Sequence, residues 1–212
     1  LKDSQVAVLL THHTLRSRLP VSNTQIACLD ANWNLISTQS SKNPMYRKKN
    51  SKAGYIIYTS GSTGHPKGVK VSEQALVCRV LSMIAHYSLD KTQCMLQFIP
   101  LTFDASAEEI YPILLSGGTL ALHRAPQELP PAHFLRSCKK LGVTVLHLPV
   151  SYWHYLMDYW IRFQHPVPSW IKTIIVGGDS LSIERLEAFS HLLKHPLRMF
   201  HVYGPTETTI TS

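Results

Sequence analysis

Residues 55–68 constrain the fold of this chain more than any other stretch: they read Tyr-Ile-Ile-Tyr-Thr-Ser-Gly-Ser-Thr-Gly-His-Pro-Lys-Gly, an apolar run passing directly into glycines and hydroxyls that end in lysine. Such a run followed by such a turn predicts a strand and a loop, not a helix. Gly61, Gly64 and Gly68 permit positive φ and close backbone approach to an anion, Thr59, Ser60, Ser62 and Thr63 add hydroxyl donors, and Lys67 adds a point charge. The order departs from the P-loop, in which the lysine follows a glycine and precedes serine or threonine; here Pro66 precedes Lys67 and Gly68 follows it. A flexible Ser/Gly linker would require neither the flanking strand nor the lysine at a set place.

The rest of the chain alternates between two periods. Strands are predicted over 6–10, 25–29, 55–59, 94–99, 119–122, 143–148, 171–176 and 198–203, with 68–71 extended, and helices over 73–87, 107–115, 132–141, 152–161 and 182–193. Residues 11–19 are polar with helical possibilities, and 37–53 read as loop. Ser72 is placed as an N-cap with Glu73 in the first turn. Leu76, Val80, Met83 and Ile84 recur at helical spacing, and Trp153, Tyr155, Leu156 and Trp160 are assigned to the core, because aromatic density on a helix usually means packing. Strand alternating with helix predicts an α/β architecture of layered, largely parallel sheets flanked by helices, with ligands bound where loops leave the carboxyl ends of strands.

With 212 residues and 44% apolar content, the chain can bury one sizeable core. No apolar run approaches the ~20 residues that span a bilayer, and the opening Leu-Lys-Asp-Ser has no signal-peptide pattern. A cytoplasmic protein without a membrane partner is the expectation. Cys28, Cys78, Cys94 and Cys138 lack any Cys-x-x-Cys pairing, which favours free thiols over a disulfide frame or a zinc site. His191 and His195 have i, i+4 spacing, but Leu192 stands where a zinc protease carries glutamate and Pro196 follows at once, as at an exposed helix end. The net charge of +8 includes a basic run at 46–52, which is either a nucleic-acid contact or a solvated connection. Without aromatics between its cations the second reading is preferred, and no nucleic-acid partner is expected.

Three more strand ends carry polar motifs: Leu-Thr-Phe-Asp-Ala-Ser at 101–106, Gly-Gly-Asp-Ser at 177–180 and Tyr-Gly-Pro-Thr-Glu-Thr-Thr at 203–209. Together with Thr-Ser-Gly-Ser-Thr-Gly-x-Pro-Lys-Gly, in this order and over nearly the whole chain, they resemble the core motifs of adenylate-forming enzymes. Within that superfamily they are most similar to the adenylation domains of nonribosomal peptide synthetases rather than to acyl-CoA synthetases or luciferases. The resemblance implies attack of an amino-acid carboxylate on the α-phosphorus of ATP with Mg2+, release of pyrophosphate, and transfer of the aminoacyl group to phosphopantetheine on a carrier domain. Carrier and condensation domains are the implied partners. An acyl- or aryl-CoA ligase and a noncatalytic nucleotide-binding fragment are the alternatives.

The same resemblance implies residue roles. Thr59, Ser60, Gly61, Ser62, Thr63, Gly64 and Lys67 would hold the β- and γ-phosphates, Thr206 the α-phosphate, and Glu207 the Mg2+. Tyr203 would stack on adenine beside Gly177, Gly178, Asp179 and Gly204, with His201 where many relatives carry an adenine-reading asparagine. Asp104 is either a turn or N-cap residue or the partner of the substrate's α-ammonium. Ala105, Glu108, His147, Ile175, Gly177, Val202, Ile210 and Thr211 match the side-chain pocket. A carboxylate inside a pocket wants a cation, so Glu108 suggests a basic amino acid, lysine or ornithine ahead of arginine, unless it turns outward, binds a hydroxyl or takes His147 as its partner. Finally, the resemblance implies a central fragment of an adenylation core, without its N-terminal part and C-terminal lid domain, and inactive in isolation.

Overall fold

The structure is a computed structural model describing residues 3–20, 23–43, 53–60 and 64–211. The chain divides into two units, Leu1–Asn50 and Ser51–Ser212. In the first, β1 (Val8–Thr11) and β2 (Gln25–Cys28) pair in parallel with Val8 opposite Gln25. The crossover that parallel neighbours require is a 3-10 segment, His13–Arg18, because its polar residues offer no apolar stripe to anchor an α-helix. A short helix α1 (Trp33–Ser37) follows where the sequence suggested no element; the Asn32 carboxamide accepts the Cys28 N–H at 2.8 Å and turns the chain into it.

The second unit opens with β3 (Ala53–Thr59) and β4 (Lys67–Ser72), an antiparallel hairpin with Thr59 opposite Lys67. The strand that leads into the glycine- and hydroxyl-rich motif is therefore paired antiparallel and is not part of the parallel sheet. Ser72 caps α2 (Glu73–Tyr87), its Oγ accepting the Ala75 N–H at 3.1 Å. Then come β5 (Cys94–Gln97), α3 (Ala105–Leu115), β6 (Thr119–Leu122), α4 (Pro131–Lys140) and β7 (Val145–Pro149). After these follow α5 (Val150–Phe163), β8 (Thr173–Gly177), α6 (Ile183–Ser190) and β9 (Arg198–Val202).

Five of these strands form one parallel sheet in the order β6-β5-β7-β8-β9. Side-chain alternation sorts its residues onto two faces. Leu96, Leu146, Leu148, Ile174 and Val176 pack with Phe134 of α4, Trp153 of α5 and Phe189 of α6. Met95, Val145, Ile175 and Val202 pack with Met83 and Tyr87 of α2 and Ile113 of α3. From β5 the chain steps to β6 on one side, and β7 then takes β5's other side. That reversal opens a crevice at the carboxyl ends of β5 and β7.

Trp153, Leu156 and Trp160 are buried, but Tyr155 is 50% exposed, a correction to its core assignment. It stands two positions from Trp153, about 200° around the helix, and so faces away from the sheet. Trp153→Ala should cost about 3–5 kcal/mol in urea unfolding through the cavity it leaves, whereas Tyr155→Ala should stay within about 1 kcal/mol. Cys28, Cys94 and Cys138 are buried, Cys78 is exposed, and all four thiols are free. Among the described residues no helix is long and apolar enough to cross a membrane.

Candidate functional site

At the reversal lies a cavity of about 480 Å³, the size of a small-molecule site. Asp104 and Ala105 enter it from the β5–α3 connection, His147 from the end of β7, and Gly177 and Gly178 from the end of β8. Val202, Tyr203, Gly204 and Thr206 follow β9, and Ile210 and Thr211 close the wall. Three of the four polar motifs thus converge on one place. Phe103 and Pro205, motif members to which no role was given, add lining, as do Ile99, Pro100, Leu148 and Pro149, which motif reading did not pick out although they stand at the ends of the predicted strands 94–99 and 143–148 or just past them.

The fourth motif is carried by the hairpin strands. Lys67 is exposed at the start of β4, Ser60 is exposed after β3, and the Thr59 hydroxyl donates to the Lys67 carbonyl at 3.5 Å. Gly64 has φ +79°, the left-handed conformation that motivated a glycine there. Gly61, Ser62 and Thr63 lie outside the described residues, as does the basic run 46–52. Strand β4 packs beside the 3-10 turn Thr206–Thr208, so the strand bearing Lys67 adjoins the turn bearing Thr206 and Glu207.

Asp104 occupies the N-cap position of α3 without making a side-chain cap bond. Its Oδ2 is buried with no partner, and burial pushes the carboxyl above the usual aspartate range, offset in part by the Ala105 N–H, the Thr206 hydroxyl and the Ile210 N–H. A buried acceptor left open in a cavity invites a cationic donor from a ligand. Tyr55 of β3 stands close by: its hydroxyl is also buried and unpartnered, and burial together with the Asp104 charge pushes the phenol up to about 12.

A tight turn sets the opposite wall. Thr209 and Ile210 have φ of 70° and 71°, a conformation that β-branched residues adopt at a cost of about 1–3 kcal/mol each. Gly204 makes the turn possible, since a Cβ there would lie 2.5 Å from the Ile210 carbonyl oxygen and 2.6 Å from the Thr211 Cα. The strained backbone directs the Thr211 hydroxyl to Glu108 at 3.1 Å, and the Ile210 N–H lowers the Asp104 pKa.

A family model described as AMP-binding enzyme matches residues 1–212, the whole chain. The chain belongs to the AMP-binding enzyme family. It is 32% identical over 213 residues to gramicidin S synthase 2 of Brevibacillus brevis, covering 100% of this chain and 5% of that protein. It is 35% identical over 165 residues to vanchrobactin synthetase VabF of Vibrio anguillarum, covering 76% of this chain and 6% of that one. The fold is shared with the nonribosomal peptide synthetase FmoA3 (TM-score 0.84, 21% identity, 100% of this chain and 22% of that one). It is shared too with the O-succinylbenzoate coenzyme A synthetase MenE of Bacillus subtilis, solved with ATP and magnesium (TM-score 0.76, 20% identity, 98% and 41%). The peptide-synthetase resemblance carried by the motifs agrees with these synthetase relatives, and the chain spans only a small part of their length.

Within this AMP-binding family member, some anticipated pocket residues stand behind the wall. Glu108 is fully buried and does not line the cavity: the Tyr87 hydroxyl donates to one of its oxygens and the Thr211 hydroxyl to the other. The first turn of α3 aims it at α2 and not at the ligand space, which corrects the expectation of a carboxylate waiting for a cation. Ile175 is likewise fully buried, on the sheet face that packs against α2 and α3. His201 is exposed, with its ring 2.9 Å from the Asp179 carbonyl, and Asp179 Oδ1 accepts the Ser180 N–H at 2.7 Å as a turn residue. His147 reaches the cavity with Nδ1 buried and unpartnered; burial lowers its pKa and Glu108 pushes it back. Tyr203 is 73% exposed at the rim, where its ring can stack on a planar ligand. Among the described residues no three His, Cys, Asp or Glu side chains cluster as metal ligands. The exposed carboxylate of Glu207 fits an ion held mainly by phosphate and water, the habit of Mg2+.

Proposed function

We propose that the protein containing this chain activates an α-amino acid with ATP. The substrate carboxylate oxygen attacks the α-phosphorus, the bond to the β-phosphate oxygen breaks, and aminoacyl adenylate and pyrophosphate result. Two anions must meet, so their repulsion has to be offset before attack. The observation that carries the reading is the open, buried Oδ2 of Asp104 in a cavity shared with Tyr203 and Thr206. Asp104 pairs with the α-ammonium, Thr206 donates to the α-phosphate, and Tyr203 stacks on adenine beside Gly178, Asp179, His201 and Gly204. Lys67 and the hydroxyls of the hairpin turn hold the leaving phosphates. Glu207 would hold Mg2+, which when bound would supply positive charge to the phosphates.

On the same reading, the chain is the central part of an adenylation core, acts in the cytoplasm, and passes its product to the phosphopantetheine thiol of a carrier domain, with a condensation domain as a further partner. The basic side chain anticipated from Glu108 would have to draw that carboxylate away from Tyr87 and Thr211. Amino-acid-dependent exchange of pyrophosphate into ATP by the full polypeptide is the test. Lys67→Ala and Glu207→Ala should each lower exchange roughly 100- to 1,000-fold, as loss of a preorganised charge-stabilising group does, and residues 1–212 alone should be inactive. Turnover of plain carboxylic acids to thioesters of coenzyme A would instead indicate a CoA ligase, and nucleotide binding without exchange a noncatalytic module.

A further inference from the structure

Behind the cavity wall, four side chains from three parts of the fold form one chain of hydrogen bonds. Arg79 of α2 donates from a terminal nitrogen to the Thr211 hydroxyl at 2.8 Å; Thr211 donates to one oxygen of Glu108 at 3.1 Å; Tyr87 of α2 donates to the other. Every donor points toward Glu108, the arrangement that a carboxylate terminates. Tyr87 and Glu108 are essentially sealed from solvent, and Arg79, one hydroxyl removed, is the cation in the chain. A buried carboxylate with both oxygens bonded and a cation in the same network presents no unbalanced charge to a neighbouring ligand. Thr211 is the one member of the network that lines the cavity, and it offers a hydroxyl already used twice.

We propose that Arg79 is a specificity-positioning residue: acting through Thr211, it balances Glu108 and holds it away from the cavity, so that the side-chain end of the site is neutral and takes an uncharged side chain. The inference rests on the amino-acid-activation reading and adds the class of side chain. Without Arg79, Glu108 loses the cation that balances it, and a substrate cation supplies the missing partner. Without the Glu108 charge, Arg79 is the unbalanced group and an acidic side chain answers it.

The test measures pyrophosphate exchange in the full polypeptide with lysine, ornithine, glutamate and a panel of uncharged amino acids, alongside the matching acids that lack the α-amino group. Wild type should use uncharged side chains best. Arg79→Met should raise kcat/KM for lysine or ornithine relative to the best uncharged substrate roughly tenfold, carried by KM, and Arg79→Lys should restore the original order. Should Arg79→Met fail to fold, Glu108→Gln decides, with the preference shifting toward glutamate. A wild-type preference for basic side chains, or ratios unmoved in these variants, overturns the proposal. If only the acids without the α-amino group are used, the amino-acid reading fails, while the charged-to-neutral ratio within that series still judges Arg79.

Discussion

Asp104→Ala should reduce kcat/KM for the amino acid roughly 100- to 1,000-fold, the usual consequence of removing one partner of a buried charge pair, while leaving binding of an ATP analogue intact. The effect is large because Asp104 Oδ2 has no partner within the protein, so its interaction free energy is realised only when an ammonium arrives. Burial, in spite of the Ala105, Thr206 and Ile210 donors, holds this carboxyl above the ordinary aspartate range. Its protonated form therefore persists to higher pH than that of an exposed aspartate. Protonated Asp104 cannot pair with the ammonium, so KM for the amino acid should rise as the pH falls through the raised pKa, with a midpoint above the ~3.9 of an unperturbed side chain. Asp104→Asn should have a high KM that is flat over this range. Equal use of amino acids by wild type and Asp104→Ala would remove the basis for placing the ammonium here.

The second large effect falls on stability. Glu109 of α3 is fully buried, and its two oxygens accept the backbone N–H groups of Phe98 and Ile99 at 3.0–3.1 Å. Those groups begin the connection that continues through Phe103 to Asp104, so the carboxylate ties the cavity's entrance to the helix behind it. Glu109→Leu orphans both donors and should cost on the order of 2–6 kcal/mol, about 1–3 for each, read as a lower urea midpoint. Glu109→Gln keeps a carbonyl acceptor and should cost less. The pH dependence separates charge from geometry. Burial raises the folded pKa of Glu109 well above the ordinary 4.5, and the Phe98 and Ile99 donors only temper it. Between the two values the folded chain holds a proton that the unfolded chain releases, so this group's contribution to stability is complete below 4.5 and is lost as the pH rises through the folded pKa. Glu109→Gln should abolish that slope. A Glu109→Leu protein as stable as wild type would show that the Phe98 and Ile99 donors find other partners.

What the sequence determined by itself was local. The periods of apolar residues predicted the sheet strands and the main helices, Ser72 marked the start of α2, and the motifs after β5, β8 and β9 named most of the cavity wall, because backbone sterics and side-chain spacing act over a few residues. The tertiary structure decided which way those residues face. Arg79 and Thr211 meet across 132 positions, and Tyr87 and Glu108 across 21. Glu108 turned to α2 instead of the ligand, Tyr155 turned to solvent, and Tyr55 came to stand beside Asp104. None of these follows from spacing along the chain, since each depends on how α2, α3, the hairpin and the strained turn at Thr209 and Ile210 are packed against the sheet. The residue types that line the cavity were legible in short motifs. Which hydroxyls Glu108 accepts was decided by contacts between elements far apart in sequence.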